Sequence, residues 1–459
     1  MREVGDESFS PNIVSYFPHK FPEIWKRTQE LFSTDIKTIS DINTTFYEGK
    51  SNFFKEIEKT YPEQGNEFIK VFGNIRNLVL DSEKILKDEI KILSTKTTDK
   101  IILNRKQVAL IFILGFFDIF NLDMKLMQVD FRYSFYDILK SNRGSDLSKA
   151  RSFLNYLIVI GRWLEENNPL LEENVTFIRE NKKCDLNFFD SNQKFCEIQI
   201  IDKGSLFDSE ASFYVDFANQ YIGGGTLSGG CVQEEILFTV NPEAVVSIFL
   251  MRKMDDNDAI RIDNIIQYSN YSGYGRTFKF EDDATKDITK IKKHNIIAMD
   301  AVCTYSSGGV DKDSVDRDLI KAYVGFNLIN FDDEEVVKLT KTIATGNWGC
   351  GAFGGDFELK FLQQWLAASY AGVEKLYYYT FGRTEMSDVI KYWEKIRLFS
   401  PKILYDRLIN ADLIKGQVLE IILDNKTFQN ENIMELEDVN TKNIYGKKKD
   451  CCWDYCNIY

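Results

Sequence analysis

Residues Gly223 to Glu235 read GGGTLSGGCVQEE, a glycine-rich run followed by an amide and two adjacent carboxylates. Glycine lacks a Cβ, so its backbone reaches positive φ and lies directly against a ligand. Carboxyl groups just beyond such a loop put proton-transfer chemistry beside a closely held substrate. With only 2 histidines in 459 residues, histidine-centred chemistry has little to draw on. Glu234 and Glu235 fall in the expected first turn of a helix, where successive side chains point about 100° apart. They therefore do not form a symmetric pair flanking one bond, as two-carboxylate glycosidases require. One faces the scissile bond and the other fixes the substrate. The competing assignment makes both solvated helix-start acids with a capping role.

A second glycine-rich string, TGNWGCGAFGGD, spans Thr345 to Asp356. Within it Gly349–Gly354 fits G-x-G-x-x-G, and Glu374 follows about 20 residues on, so a nicotinamide-dependent Rossmann oxidoreductase is one alternative. Against it, the glycines run on to Gly355 and Asp356, which places the helix cap after the motif and leaves Gly223–Glu235 without a role. Both readings share one element: backbone N–H groups and a helix N-terminus that hold a diphosphate. Gly225–Gly230 also fits the start of a P-loop. Cys231 stands where the lysine must be, so a nucleoside triphosphatase fails at the residue that would touch the phosphates.

The segments beside these loops carry further candidates. Asp216 and Asn219 lie in YVDFAN, on or just after a strand; alternation puts Asp216 opposite Val215 and Phe217. Loop-shaping hydrogen bonds are the simpler role for both. QYSNYSGYGRTF sets Tyr268, Tyr271 and Tyr274 at three-residue spacing, and a purine is recognised by aromatic stacking plus edge hydrogen bonds. Lys290, Lys292, Lys293 and His294 read as a solvated helix end, with contact to a distal anionic chain as the alternative.

The string YVDFANQYIGGGTLSGGCVQEE, with TGNWGCGAFGGD after it in the same order, closely resembles the poly(ADP-ribose) glycohydrolases. These are macrodomain enzymes that cut ribose–ribose bonds in ADP-ribose chains. NRKQVALIFILGFF from Asn104 and NYLIVIGRWLE from Asn155 resemble their helical accessory region, so the likeness runs from near Asn104 to Leu398. The resemblance implies that Glu235 is the general acid and that Glu234 orients ribose hydroxyls. It implies that Asp216 and Asn219 hold ribose and the glycine loop, with Gln233 a further ribose contact and Gly223, Gly224 and Gly225 against the substrate. Tyr274 then stacks on adenine, and Asn347, Gly349, Gly351, Ala352, Phe353 and Phe381 form the adenosine and diphosphate walls. No metal or cofactor is implied. The expected partners are poly(ADP-ribose) on acceptor proteins and ADP-ribose as product. A non-catalytic ADP-ribose reader with the same fold is the alternative from another class.

Composition sets the bounds. A length of 459 residues with 44 % apolar and 14 % aromatic content supports two or more domains with large cores. The net charge of −13 argues against nucleic-acid binding, and it obliges any polyanionic ligand to be held by local dipoles instead of a global field. Of 8 cysteines none precedes Cys184, and Cys451, Cys452 and Cys456 crowd the end, a pattern of reduced thiols in an intracellular protein of nucleus or cytoplasm. CCWDYC reads as a thiol-bearing tail before it reads as a metal site, and His19 and His294 match no zinc spacing. MREVGDESF is polar and acidic, so no secretory signal is expected. The most apolar run, Val108 to Phe117, is interrupted by Asp118 well short of the about 20 residues a membrane span needs; it reads as a buried helix.

Residues 1–170 have helical character, including Ile101–Phe120 and Lys149–Glu166, and form the expected accessory domain. The polar, proline-containing Glu165–Glu173 marks a boundary. Over 171–425 short β-branched runs alternate with amphipathic stretches, which predicts a macrodomain-like three-layer α/β domain with a largely parallel sheet. Both glycine motifs then occupy loops beyond the carboxyl ends of strands, where such sheets gather ligands. Residues 426–459 read as a polar, partly disordered tail.

Overall fold

The structure is a computed structural model that describes residues 14–15, 17–95, 98–122, 133–184, 193–304, 310–331 and 339–424. The expected tail from 426, with its cysteines, lies outside them. The main sheet has eight strands: β1 (Asp99–Asn104), β2 (Asn174–Asn181), β3 (Glu197–Ile201), β4 (Phe213–Ala218), β5 (Asp258–Ile266), β6 (Lys293–Asp300), β7 (Thr342–Gly346) and β8 (Lys375–Tyr379). Their order is β1-β2-β5-β6-β4-β7-β8-β3. From β6 through β4, β7 and β8 to β3 the pairing is parallel, whereas β5, β2 and β1 extend the other side antiparallel. Because β4 and β7 are parallel neighbours, their carboxyl ends lie side by side. The two glycine motifs, one after each strand, therefore open at the same edge.

Strand alternation sorts the core into two layers. Ile296 and Ala298 of β6 join Ile260 and Ile262 of β5 under the helical layer, while Ile297 and Met299 join Val215, Ile343 and Leu376 on the opposite face. The helical layer contains α1 (Pro62–Leu80), α2 (Arg105–Phe116) and α3 (Gly144–Glu166). Helix α2 is buried throughout Val108–Phe116, as its apolar sequence demands, and each of its Val, Leu, Ile and Phe side chains is worth about 1.5–3 kcal/mol of burial. Helix α4 (Gln233–Val240) lies between α3 and β4, and α5 (Lys312–Asn327) and α6 (Phe357–Ala371) cover the other face. No helix among the described residues is long and apolar enough to cross a membrane.

Two expectations need correction. Ile101–Asn104 is not helix but the end of β1, paired antiparallel with Val175, Phe177 and their neighbours in β2. Helix starts only at Arg105, where Asn104 Oδ1 accepts the Gln107 N–H and Gln107 Oε1 accepts the Asn104 N–H, both at 2.9 Å. The Lys290–His294 cluster is a solvated helix end only at Lys290. Lys290 closes a 3-10 turn and pairs with Asp287 at 3.0 Å, and Lys293 opens β6 and pairs with Glu173 at 2.6 Å. His294 is buried with Nδ1 3.0 Å from Asn241 Oδ1, and burial pushes its pKa down to about 4.

Candidate active site

Strand β4 delivers the chain into the first glycine loop, which returns into α4. Gly223 and Gly224 take φ of +86° and +48°, and the turn they make folds the loop back over the helix start. Glu234 is buried and gives both oxygens to that turn: Oε1 accepts the Gly223 N–H at 2.7 Å and Oε2 the Asn219 N–H at 2.9 Å. Glu235, only 7 % exposed, accepts the Gly225 N–H at 3.0 Å and the Val232 N–H at 2.8 Å. A Cβ on Gly224 would sit 2.5 Å from Glu234 Oε2 and 2.9 Å from Glu235 Oε1, so only glycine fits between the two acids. The amide of Gln233 turns to the strand, accepting the Phe217 N–H at 2.8 Å and donating to Val215 O at 3.0 Å, which locks the helix start to β4. Asn219 Oδ1 accepts the Tyr221 N–H at 3.0 Å.

Asp216 pairs in register with Ala298 and faces the helical layer, away from Val215 and Phe217. It is fully buried, and neither carboxyl oxygen has a hydrogen-bond partner among the described residues. Burial, with Glu235 close by, holds its pKa well above the usual carboxylate range. Glu234 is raised in the same way, by burial first and then by Asp216 and Glu235, against the two backbone N–H groups that favour its charged form. Three carboxyl groups thus lie close together at the glycine loop, and burial favours the protonated form of Asp216 and Glu234.

The second loop, after β7, is built around Trp348, which is fully buried and donates from Nε1 to Met299 O at 2.8 Å. Gly349 takes φ of +73°, and a Cβ there would meet Ala301 Cβ at 2.6 Å. Asp356 caps α6 by accepting the Leu359 N–H at 2.8 Å and also holds the Gly416 N–H at 2.6 Å, while Lys415 donates to Gly354 O at 2.6 Å. The helix cap therefore follows the glycines. Asn347 is engaged internally, donating to Thr380 O at 3.0 Å and accepting from the Tyr378 hydroxyl at 3.3 Å. Gly351 and Ala352 are exposed at the loop tip, and Phe353 is half-buried with its carbonyl taken by the Thr304 N–H at 2.9 Å.

Tyr274 at 58 % and Phe381 at 42 % exposure present open aromatic rings at this edge. Phe381, at φ of +54°, follows β8 and lies against Gly346. Tyr274 sits in the turn between two short strands, Ser269–Ser272 and Lys279–Asp283. Its phenol interacts with the Gln233 backbone and lies within electrostatic reach of Glu235 and of Arg383 from the β8 loop. Tyr268 is buried and donates to Glu243 at 2.7 Å, and Tyr271 is half-buried against Phe278, so of the three tyrosines only Tyr274 is available to a ligand. Among the described residues no group of three or more His, Cys, Asp or Glu is placed to hold a metal ion. Sequence reasoning overlooked Lys149 of α3, whose buried ammonium binds the carbonyls of the first loop. The signal was present: Asp146 and Lys149 are charged positions on a stripe that continues as Phe153 and Tyr156.

Known families match this arrangement. Residues 60–179 fit the family model described as poly(ADP-ribose) glycohydrolase, helical domain, and residues 186–388 fit the model for the same family's macro domain fold. The probable poly(ADP-ribose) glycohydrolase 2 of Arabidopsis thaliana is 29 % identical over 360 residues, covering 68 % of this chain and 69 % of that protein. The Arabidopsis thaliana poly(ADP-ribose) glycohydrolase 1 is 28 % identical over 382 residues, 68 % of each chain. The poly(ADP-ribose) glycohydrolase of Deinococcus radiodurans in complex with ADP-ribose overlaps 46 % of this chain and 89 % of that one, at 13 % identity and a TM-score of 0.31, too slight a likeness to carry an argument. With two adjoining family models spanning both the helical layer and the sheet, the chain belongs to the poly(ADP-ribose) glycohydrolase family.

Proposed function

We propose that this protein hydrolyses the ribose–ribose O-glycosidic bonds of poly(ADP-ribose) on acceptor proteins and releases ADP-ribose, with Glu235 as the acid and then the base. The observation that carries this reading is a Glu235 carboxyl enclosed by glycine backbone at a helix start, beside two buried carboxyl groups. The loop after β7 offers its exposed tip at Gly351 and Ala352, with Gly349 and Phe353 on either side, to the diphosphate. Tyr274 and Phe381 offer open rings to the adenine. Asp216, Asn219, Gln233 and Glu234 shape the strand end and the loop on which the ribose rests.

In the first step Glu235 transfers its proton to the 2′-oxygen of the leaving ribose as the anomeric C–O bond breaks. The bonding pair departs with that oxygen and leaves an oxocarbenium-like sugar. In the second step water adds to the anomeric carbon and gives its proton to the Glu235 carboxylate, which restores the acid. Glu234 acts through the turn it holds, with Oε1 on the Gly223 N–H and Oε2 on the Asn219 N–H. The test is incubation of labelled polymer with the protein and with Glu235→Gln. The expected result is release of ADP-ribose by the first and a loss of about 10²–10⁴-fold in the second, with ADP-ribose binding retained. Binding without release by the unaltered protein would make it a reader. Near-normal turnover by Glu235→Gln would remove that residue from the mechanism.

A further inference from the structure

Lys149 belongs to the helical layer, yet its ammonium is fully buried against the first glycine loop. Nζ donates to Ser228 O at 2.7 Å and Thr226 O at 3.1 Å, reaches Gly225 O at 3.5 Å, and also donates to Gly230 O. An ammonium carries three donors, so four carbonyls of one short loop share one cation. Its counter-ion is Asp146, one turn earlier on α3 at 3.6 Å. Asp146 is itself held by Arg143 Nε at 2.7 Å and Ser141 Oγ at 2.6 Å.

The far side of the same loop meets the candidate acid. Gly225 and Gly230 touch both groups, since each offers its carbonyl to Lys149 while its other side faces the Glu235 carboxyl. The Gly225 N–H donates to Glu235 Oε1 at 3.0 Å, and a Cβ on Gly230 would lie 2.5 Å from that oxygen. The loop is thus a single layer of backbone with Lys149 behind it and Glu235 in front. A contact serving stability alone has no need of a charge here. Burial works against the ammonium and pulls the Lys149 pKa down, with Asp146 opposing.

We propose that Lys149 is a positioning residue for the glycohydrolase reaction: its ammonium fixes the Gly225–Gly230 backbone and, through it, the placement of the Glu235 carboxyl. The helical layer then sets the geometry of the chemistry as well as covering the sheet. This inference rests on the function proposed above. It concerns the loop that packs against the acid and not the β7 loop, so it predicts a separation of rate from affinity.

The experiment uses the full chain and Lys149→Met, which keeps the length of the side chain and removes its charge. We expect kcat on poly(ADP-ribose) to fall by about 10²-fold, the scale of a small misplacement of a catalytic group, with ADP-ribose affinity little changed. Amide hydrogen exchange over residues 223–231 should accelerate while β4 and β7 keep their protection. A variant with wild-type kcat well below its melting temperature overturns the proposal, whatever its stability. So does a kcat that falls only as the unfolded fraction grows. Should Lys149→Met not fold, Asp146→Asn loosens the same ammonium more gently; a smaller fall in kcat with faster exchange over 223–231 supports the proposal, and unchanged values overturn it. If the unaltered protein releases no ADP-ribose, the function proposed above fails on its own, and loop exchange in the variants still decides whether the ammonium orders the loop.

Discussion

Asp216 shows how one residue can be legible in type and not in state. Its place on a strand leading into glycines marks it as a site residue, but nothing in YVDFAN tells that both oxygens are buried and unpartnered among the described residues. That depends on β6, whose Ala298 lies beside it in register, and on α4, which packs on β4. A carboxyl in such a place is tolerated as the neutral acid and penalised as the anion. Its folded pKa stands well above the ordinary 3.8, so its contribution to stability is fully present below that pH and is lost as pH rises through the folded value. Glu234 has the same sign for the same first cause. Melting temperature should therefore decline as pH rises from the ordinary 3.8 toward the raised folded value, and Asp216→Asn should flatten part of that decline. Parallel curves for the two proteins, measured by thermal unfolding at several pH values, would place the ionisation elsewhere.

At the scale of elements, what the sequence reveals best is what depends on backbone chemistry alone. The strands β4, β6 and β8 follow from β-branched and aromatic runs, and both loops follow from glycines where a Cβ has no room. Strand β1 escapes such reading because Ile101–Leu103 is continuous with the apolar helix after Asn104, and only its pairing with β2 identifies it as strand. Lys149 escapes for a related reason: its partners are backbone carbonyls, which carry no side-chain identity and lie 76 to 81 positions away. The two loops have separable duties, and paired variants should show it. Gly224→Ala forces a methyl group between Glu234 and Glu235, so it should depress kcat far more than ADP-ribose affinity. Asp356→Ala removes the cap of α6 and the anchor for Gly416, costing about 0.5–2 kcal/mol of stability, and should weaken ADP-ribose binding more than kcat. Calorimetric titration with ADP-ribose beside steady-state turnover checks the crossing pattern; equal losses in both quantities for both variants would mean that the loops do not divide the work.

Across the whole molecule the helical layer and the sheet are joined by a buried charge, not only by apolar contact. Arg105, the first residue of α2, donates from Nε to Glu243 Oε1 at 2.7 Å and from Nη1 to Leu170 O at 3.1 Å, and both side chains of the ion pair are fully buried. Glu243 in turn accepts the Ile266 N–H of β5 at 2.9 Å and the Tyr268 hydroxyl at 2.7 Å, so one carboxylate receives bonds from helix, strand and hairpin. Breaking a buried pair from one side leaves an uncompensated charge, which costs about 3–5 kcal/mol, whereas replacing both partners with apolar groups is often close to neutral. Arg105→Met should therefore lower stability by about that amount, and the double variant Arg105→Met with Glu243→Leu should recover much of the loss, less the bonds from Ile266 and Tyr268. Chemical denaturation followed separately by tryptophan fluorescence and far-ultraviolet circular dichroism gives the measurement. Because the described residues up to Leu423 form one compact unit, the two probes should report a single coincident transition in the unaltered protein. Two separated transitions, with Arg105→Met shifting only one of them, would show that the helical layer folds apart from the sheet and that this pair does not bind them into one cooperative body.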